Sequence, residues 1–228
     1  VSLFKPYRFY SKAEIERRAN DLLRRMDLTP NFTPKWPFEA SLVADFLDLG
    51  VVWDCIPPDE EGAIAARILP SLRQIEINEE ILNLPQGFQE STIAHEIGHW
   101  VLHINHDEVD GVAKQLELGL DIEPVDPLEP FVCRGSSNQS KIESIEWQAQ
   151  YFASCLLMPC SILEEKREGR NLTRWSDLYA MADELGVTIS NLKHRLKDLG
   201  WIHVPKGTRK IYLGTEEPVE QPKLFAHK

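Results

Sequence analysis

The sequence lacks any apolar run near the roughly 18–20 residues that a membrane-spanning helix needs. Its opening stretch, VSLFKPYRFYSKAEIERR, has no continuous apolar segment followed by a small-residue cleavage site, so no secretory signal is expected there. Cysteine is scarce as well. Cys55, Cys133, Cys155 and Cys160 form no CxxC pair, which argues against a disulfide scaffold or a cysteine-rich zinc ribbon and leaves reduced thiols as the expectation. Positive charge is also short: 25 Lys and Arg against 36 Asp and Glu give a net charge of -11. Such a surface, taken whole, is no platform for nucleic acid or acidic membrane. The expectation is a soluble cytoplasmic protein.

What is present is an ordinary globular composition, 43% hydrophobic and 27% charged over 228 residues. That length suits one sizeable core with an appendage, or two modest domains. Residues 11–26 place Ile15, Ala19, Leu22, Leu23 and Met26 on one helical stripe, with Ser11 and Glu14 in capping-box spacing. A second helical pattern covers 38–49 and stops at Gly50 as a C-cap. Residues 51–53, 63–69 and 74–78 (QIEIN) read as short strands, and 87–103 and 141–158 as helices, the latter closed by Pro159. From about 104 to 132 acidic residues and prolines dominate, which predicts a loosely ordered acidic insert or lid. The fold class expected is α+β.

Within the 87–103 helix stands HExxH. His95 and His99, four residues apart, share one helical face, so both imidazoles can converge on one ion, while Glu96 reaches a metal-held water. His103 repeats the spacing but lies about 12 Å along the axis from His95, too far to join the same ion, and is expected to pack or hydrogen-bond. The metzincin spacing is absent, because Leu102 and Asn105 stand where its glycine and third histidine would be. A third ligand must come from another element. Glu146 is the choice, because Ala149 and Ala153 beside it would let the 141–158 helix approach closely. Glu143, in capping-box spacing with Ser140, is the reserve. Two histidines and a glutamate leave a fourth position open, as in catalytic zinc sites, with Glu96 as the base that activates a zinc-bound water for attack on a peptide carbonyl. Tyr151, His106 and His194 are candidates to stabilise the oxyanion, and none is assigned.

HEIGHWVLH at 95–103 together with EWQAQYFASCLLMP at 146–159 resembles the ImmA/IrrE family of metallo-endopeptidases, whose second helix carries E-x-E-A-N-x-F-A-x-x-L-L-M-P. The likeness spans roughly residues 11–160. It implies a zincin-like fold, one catalytic Zn2+, and cleavage or inactivation of a helix-turn-helix transcriptional repressor in a phage, mobile-element or stress-response setting. By matching position it makes His95, His99 and Glu146 the zinc ligands and Glu96 the catalytic base. Two positions depart from the pattern: Gln148 replaces a glutamate and Gln150 an asparagine, although Gln150 can still orient a ligand histidine.

Residues 175–202 read as a helix-turn-helix, with a turn near Gly186, a cap at Ser190, and Lys193, Arg195 and Lys197 offered to nucleic acid or a protein partner. Lys206, Arg209 and Lys210 extend this basic character. The organisation expected is a metallopeptidase domain over 1–165, a helical unit over 166–204 and a tail over 205–228. QIEIN is a candidate edge strand for an extended substrate, on the zincin analogy. Rival readings are a DNA-binding regulator with a vestigial or structural metal site, and a non-catalytic module that binds a repressor without cutting it.

Overall fold

Helix α1 (Lys12–Asp27) forms as its pattern predicts: Ile15, Ala19, Leu22, Leu23 and Met26 are all buried, and Ser11 Oγ accepts the Glu14 N–H at 3.2 Å. The structure is a computed structural model describing residues 3–59, 62–117 and 139–215. Helix α2 (Ala40–Phe46) is shorter than expected. It ends at Phe46, and just beyond its cap Asp48 takes φ 56°, a left-handed turn that a short polar side chain tolerates; Gly50 opens the first strand instead of capping the helix. No side chain of its own caps α2; Glu90 from a distant helix accepts the Ala40 N–H at 2.7 Å.

Strands β1 (Gly50–Asp54), β2 (Ala66–Leu69) and β3 (Gln74–Asn78) make a sheet in the order β1-β3-β2. β3 is QIEIN, and it pairs in parallel with β1 and antiparallel with β2. The edge-strand expectation for QIEIN is therefore wrong: both of its backbone edges are used within the sheet. Ile75 and Ile77 are fully buried, and Glu76 is held by Arg67 at 2.6 Å.

Against β2 and β3 packs α3 (Gln86–His103), and α5 (Gln139–Leu157) lies along α3. Gly98 explains how closely they meet: a Cβ there would stand 2.8 Å from the Ala149 carbonyl oxygen and 3.0 Å from its Cα. The expected small residues on α5 thus have a glycine as their counterpart on α3. We expect Gly98→Ala to force the helices apart, costing about 1–3 kcal/mol of stability and weakening metal uptake. Thermal melts and metal titration check both.

Between them α4 (His106–Glu117) is helical where an irregular acidic insert was expected. Val109 and Val112 bury one side of this acidic segment, which gives the helix a face to pack. The rest of that insert, with Cys133, lies outside the described residues. After Pro159, which ends α5 and caps the next helix, comes α6 (Cys160–Arg167), not foreseen because the proline was read only as a stop. The expected boundary at residue 165 falls inside it. Helices α7 (Trp175–Leu185) and α8 (Ile189–Asp198) follow, joined through Gly186 at φ 73°, and Thr188 rather than Ser190 caps α8 by accepting the Asn191 N–H. A short hairpin, β4 (Ile202–His203) and β5 (Tyr212–Leu213), closes the described chain. One hydrophobic cluster runs through all of this, from Leu3 through Ile15, Ile97 and Phe152 to Leu178, Leu192 and Ile211. No helix of the described residues is long and apolar enough to cross a membrane.

Candidate metal centre

His95 and His99 project from one face of α3, and Glu146 meets them from α5. The two Nε2 atoms are 3.0 Å apart, Glu146 Oε2 lies 3.1 Å from His95 Nε2, and Oε1 lies 3.5 Å from His99 Nε2. A tetrahedral zinc site with bonds of about 2.0–2.1 Å has ligand-to-ligand edges of about 3.3 Å. The spacing therefore fits a metal ion, and the donor set of two imidazoles and one carboxylate suits zinc. His99 is almost wholly enclosed, whereas the Glu146 side chain is 43% exposed, so the site opens on the α5 side. As for Glu143, its side chain lies outside the described residues, and α5 begins at Gln139, which puts Ser140 inside the first turn rather than at the cap.

Charges in the site are strongly coupled. Burial pushes the His95 pKa down, but the hydrogen bond to Glu146 and the charges of Glu96 and Glu146 outweigh it and leave the pKa raised. Burial likewise disfavours the Glu146 carboxylate, yet bonds to both imidazoles hold its pKa well below the carboxylate range. Glu96, buried between the ligands in sequence, has its pKa raised by burial despite the nearby histidines. A carboxyl group poised in this way can hold and release a proton within the site.

Under the ligands lies His103. Its Nδ1 is 3.2 Å from His99 Nδ1, so one ring donates and the other accepts. Burial, then the charge of His99, lowers the His103 pKa to about 3, which keeps it a neutral partner. His103 is thus a hydrogen-bonding residue, as expected, and what it holds is the far side of a ligand imidazole. Gln148 is fully buried next to it, accepting the Tyr10 N–H at 3.3 Å and donating to Ser144 Oγ at 3.2 Å. Gln150 stands close enough to help raise the His95 pKa through a side-chain contact, although the buried His95 Nδ1 has no well-aligned partner among the described residues.

The oxyanion candidates go elsewhere or stay open. His106 donates its Nε2–H to the Trp100 carbonyl at 2.8 Å and stacks on that indole. The Tyr151 hydroxyl faces Arg195 at 3.4 Å, and His194 lines a separate cavity beside the site. Of the three basic residues offered on α8, Lys197 is exposed and Lys193 half-buried. Arg195 is a correction: it is fully buried, donating to Glu16 Oε1 at 2.6 Å and to the Met158 carbonyl at 3.1 Å, and it cannot reach a phosphate.

The IrrE N-terminal-like domain, a peptidase family, matches this chain over residues 126–197. That segment contains Glu146 and α8 up to Lys197 but stops short of α3. A solved structure described as a Mycobacterium tuberculosis transcriptional regulator has the same fold, with a TM-score of 0.50 at 18% identity, covering 80% of this chain and 55% of that one. The chain therefore spans about half the length of that regulator. No curated protein matches the chain.

Proposed function

We propose, with the ImmA/IrrE likeness borne out as the premise, that this chain is a zinc-dependent endopeptidase acting on a regulatory protein, a helix-turn-helix repressor above all. The observation that carries the proposal is the convergence of His95, His99 and Glu146 at tetrahedral spacing with the buried carboxyl of Glu96 adjacent in sequence.

His95, His99 and Glu146 would hold the ion, which when bound supplies a Lewis acid for the scissile carbonyl and acidifies water. Glu96 takes the proton from the attacking water and returns it to the leaving amine, a role for which its raised pKa prepares it. His103 fixes the ring of His99 so that Nε2 points at the centre. Peptide hydrolysis needs no further cofactor.

The test is metal analysis of the purified chain, followed by incubation with any helix-turn-helix protein encoded beside it and mass spectrometry of the products. One zinc per chain and defined fragments support the reading. An intact partner in a stable complex with the zinc-loaded chain would overturn it in favour of binding without cleavage. We further expect His103→Phe to lower zinc affinity about 10–100-fold, measured by competition with a chromophoric chelator.

A further inference from the structure

Beside the metal centre lies a cavity of about 570 Å³, within the range of pockets that enclose ligands. Its position follows from the helices. Ser91 sits one turn before His95 on α3, and Gln150 one turn after Glu146 on α5, and both line it. The floor is apolar, made by Tyr151, Leu157 and Met158.

The aromatic rim is unusual in being left open. Phe88 and Trp147 are 39% and 37% exposed, and Trp147 directly follows the ligand Glu146. Trp147 is one of three stacked rings, with Phe9 at 6.1 Å from it and Tyr151 at 5.6 Å. A group of flat apolar surfaces held next to a hydrolytic centre is a place for another flat or bulky apolar group.

The outer wall is α8. Ser190, Asn191 and His194 present polar groups, and Asp198 is paired with Lys12 at 2.7 Å. Among the described residues that line the cavity, none is a lysine or arginine that could hold a phosphate or a carboxylate. The first turns of α8, which a DNA-reading helix would present to a groove, are thus turned toward the α3 and α5 site.

We infer that this cavity is the specificity pocket for the substrate, that it takes a large apolar side chain, aromatic by preference, next to the scissile bond, and that α8 serves as its wall. The inference rests on the peptidase reading for the word substrate, and on geometry alone for the pocket. The helix-turn-helix-like unit then selects what is cut.

The test uses the zinc-loaded full chain carrying Glu96→Gln and a short peptide containing p-benzoylphenylalanine, irradiated and mapped by mass spectrometry. Adducts on Trp147, Met158 or residues 190–194 are expected. Filling the cavity with Asn191→Trp from α8, or with Ser154→Phe from α5, reduces them about tenfold, while Tyr179→Ser, at an exposed ring elsewhere, leaves them unchanged. Circular dichroism verifies that each variant is folded. Adducts confined to other surfaces, or undiminished in both folded filling variants, overturn the inference. If the wild-type chain cuts no peptide but the adducts fall as expected, the pocket stands and the peptidase reading fails.

Discussion

On the proposed function, Glu96→Gln is expected to lower peptide hydrolysis by about 10²- to 10⁴-fold and to leave zinc bound at one per chain. The amide keeps the size and hydrogen-bonding reach of the carboxyl but cannot take a proton from water. Glu96 supplies none of the three atoms at tetrahedral spacing, so the ion should not depend on it. His99→Ala gives the opposite pattern, because it removes a nearly enclosed ligand and the bond to His103 together. Parallel zinc analysis and fragment counting separate the two. Loss of zinc with Glu96→Gln, or cleavage at the wild-type rate, would remove Glu96 from the role of base.

The second large effect concerns stability. Arg195 is fully buried and joins three parts of the chain: Glu16 of α1, α5 through the Tyr151 hydroxyl and the Met158 carbonyl at its end, and α8 itself. Cys160 adds a thiol that donates to Glu16 at 3.0 Å. Arg195→Met keeps bulk but leaves Glu16 without its cation, and breaking a buried pair costs about 3–5 kcal/mol. With the Glu16 side chain 23% exposed, the low end applies, about 3 kcal/mol or roughly 6–12 °C in Tm. Lys197→Met, on the exposed side, should move Tm by less than about 2 °C.

Acid narrows the difference between wild type and Arg195→Met. Burial raises the Glu16 pKa, but the Cys160 bond and the Arg195 charge outweigh it and hold it below the ordinary value. A carboxyl depressed in the folded state stabilises above its unfolded pKa, near 4.3, and loses that contribution as pH falls through the folded one. The wild-type and Arg195→Met melts should therefore lie well apart at pH 7 and approach each other below pH 4. A constant gap would mean that Arg195 acts through packing alone. A loss of partner or DNA binding in an Arg195 variant would report a weakened fold, not a lost contact.

How far these features were legible depends on the range of the interaction that makes them. HExxH reads directly, because two residues four apart on a helix must share a face, whatever the surrounding fold. Glu146 was reached through the small residues Ala149 and Ala153 beside it, so the close approach was visible on one side only; its counterpart Gly98 carried no reading. QIEIN was read with an open edge because strand order is decided by pairing across the chain, with β1 arriving in parallel from 24 positions earlier in register. The cap of α2 comes from Glu90, fifty residues away.

Arg195 was misread although a signal was present. Leu192, Arg195, Leu196 and Leu199 follow the spacing i, i+3, i+4 and i+7, so the guanidinium lies on the apolar stripe of α8. Charge was given more weight than position. The α8 wall of the cavity could not be seen in the sequence at all, since it requires Gly87 to let the α7–α8 turn lie against α3, where a Cβ would come within 2.8 Å of the Thr188 nitrogen.

The contact of Gly98 with Ala149 also bears on how metal is exchanged. Two backbones in direct contact, with no side chain between them, set the distance from α3 to α5 by steric limits alone. The three ligand atoms then inherit their separation from the fold, and little of the binding energy goes into bringing the helices together, unlike small zinc domains that fold only around their ion. Chelation should leave helix content and the main melting transition in place, and readdition should restore the site at the pace of metal desolvation rather than that of refolding. A chain built in this way would persist folded without its ion, and on the proposed function zinc supply would set how many copies can act.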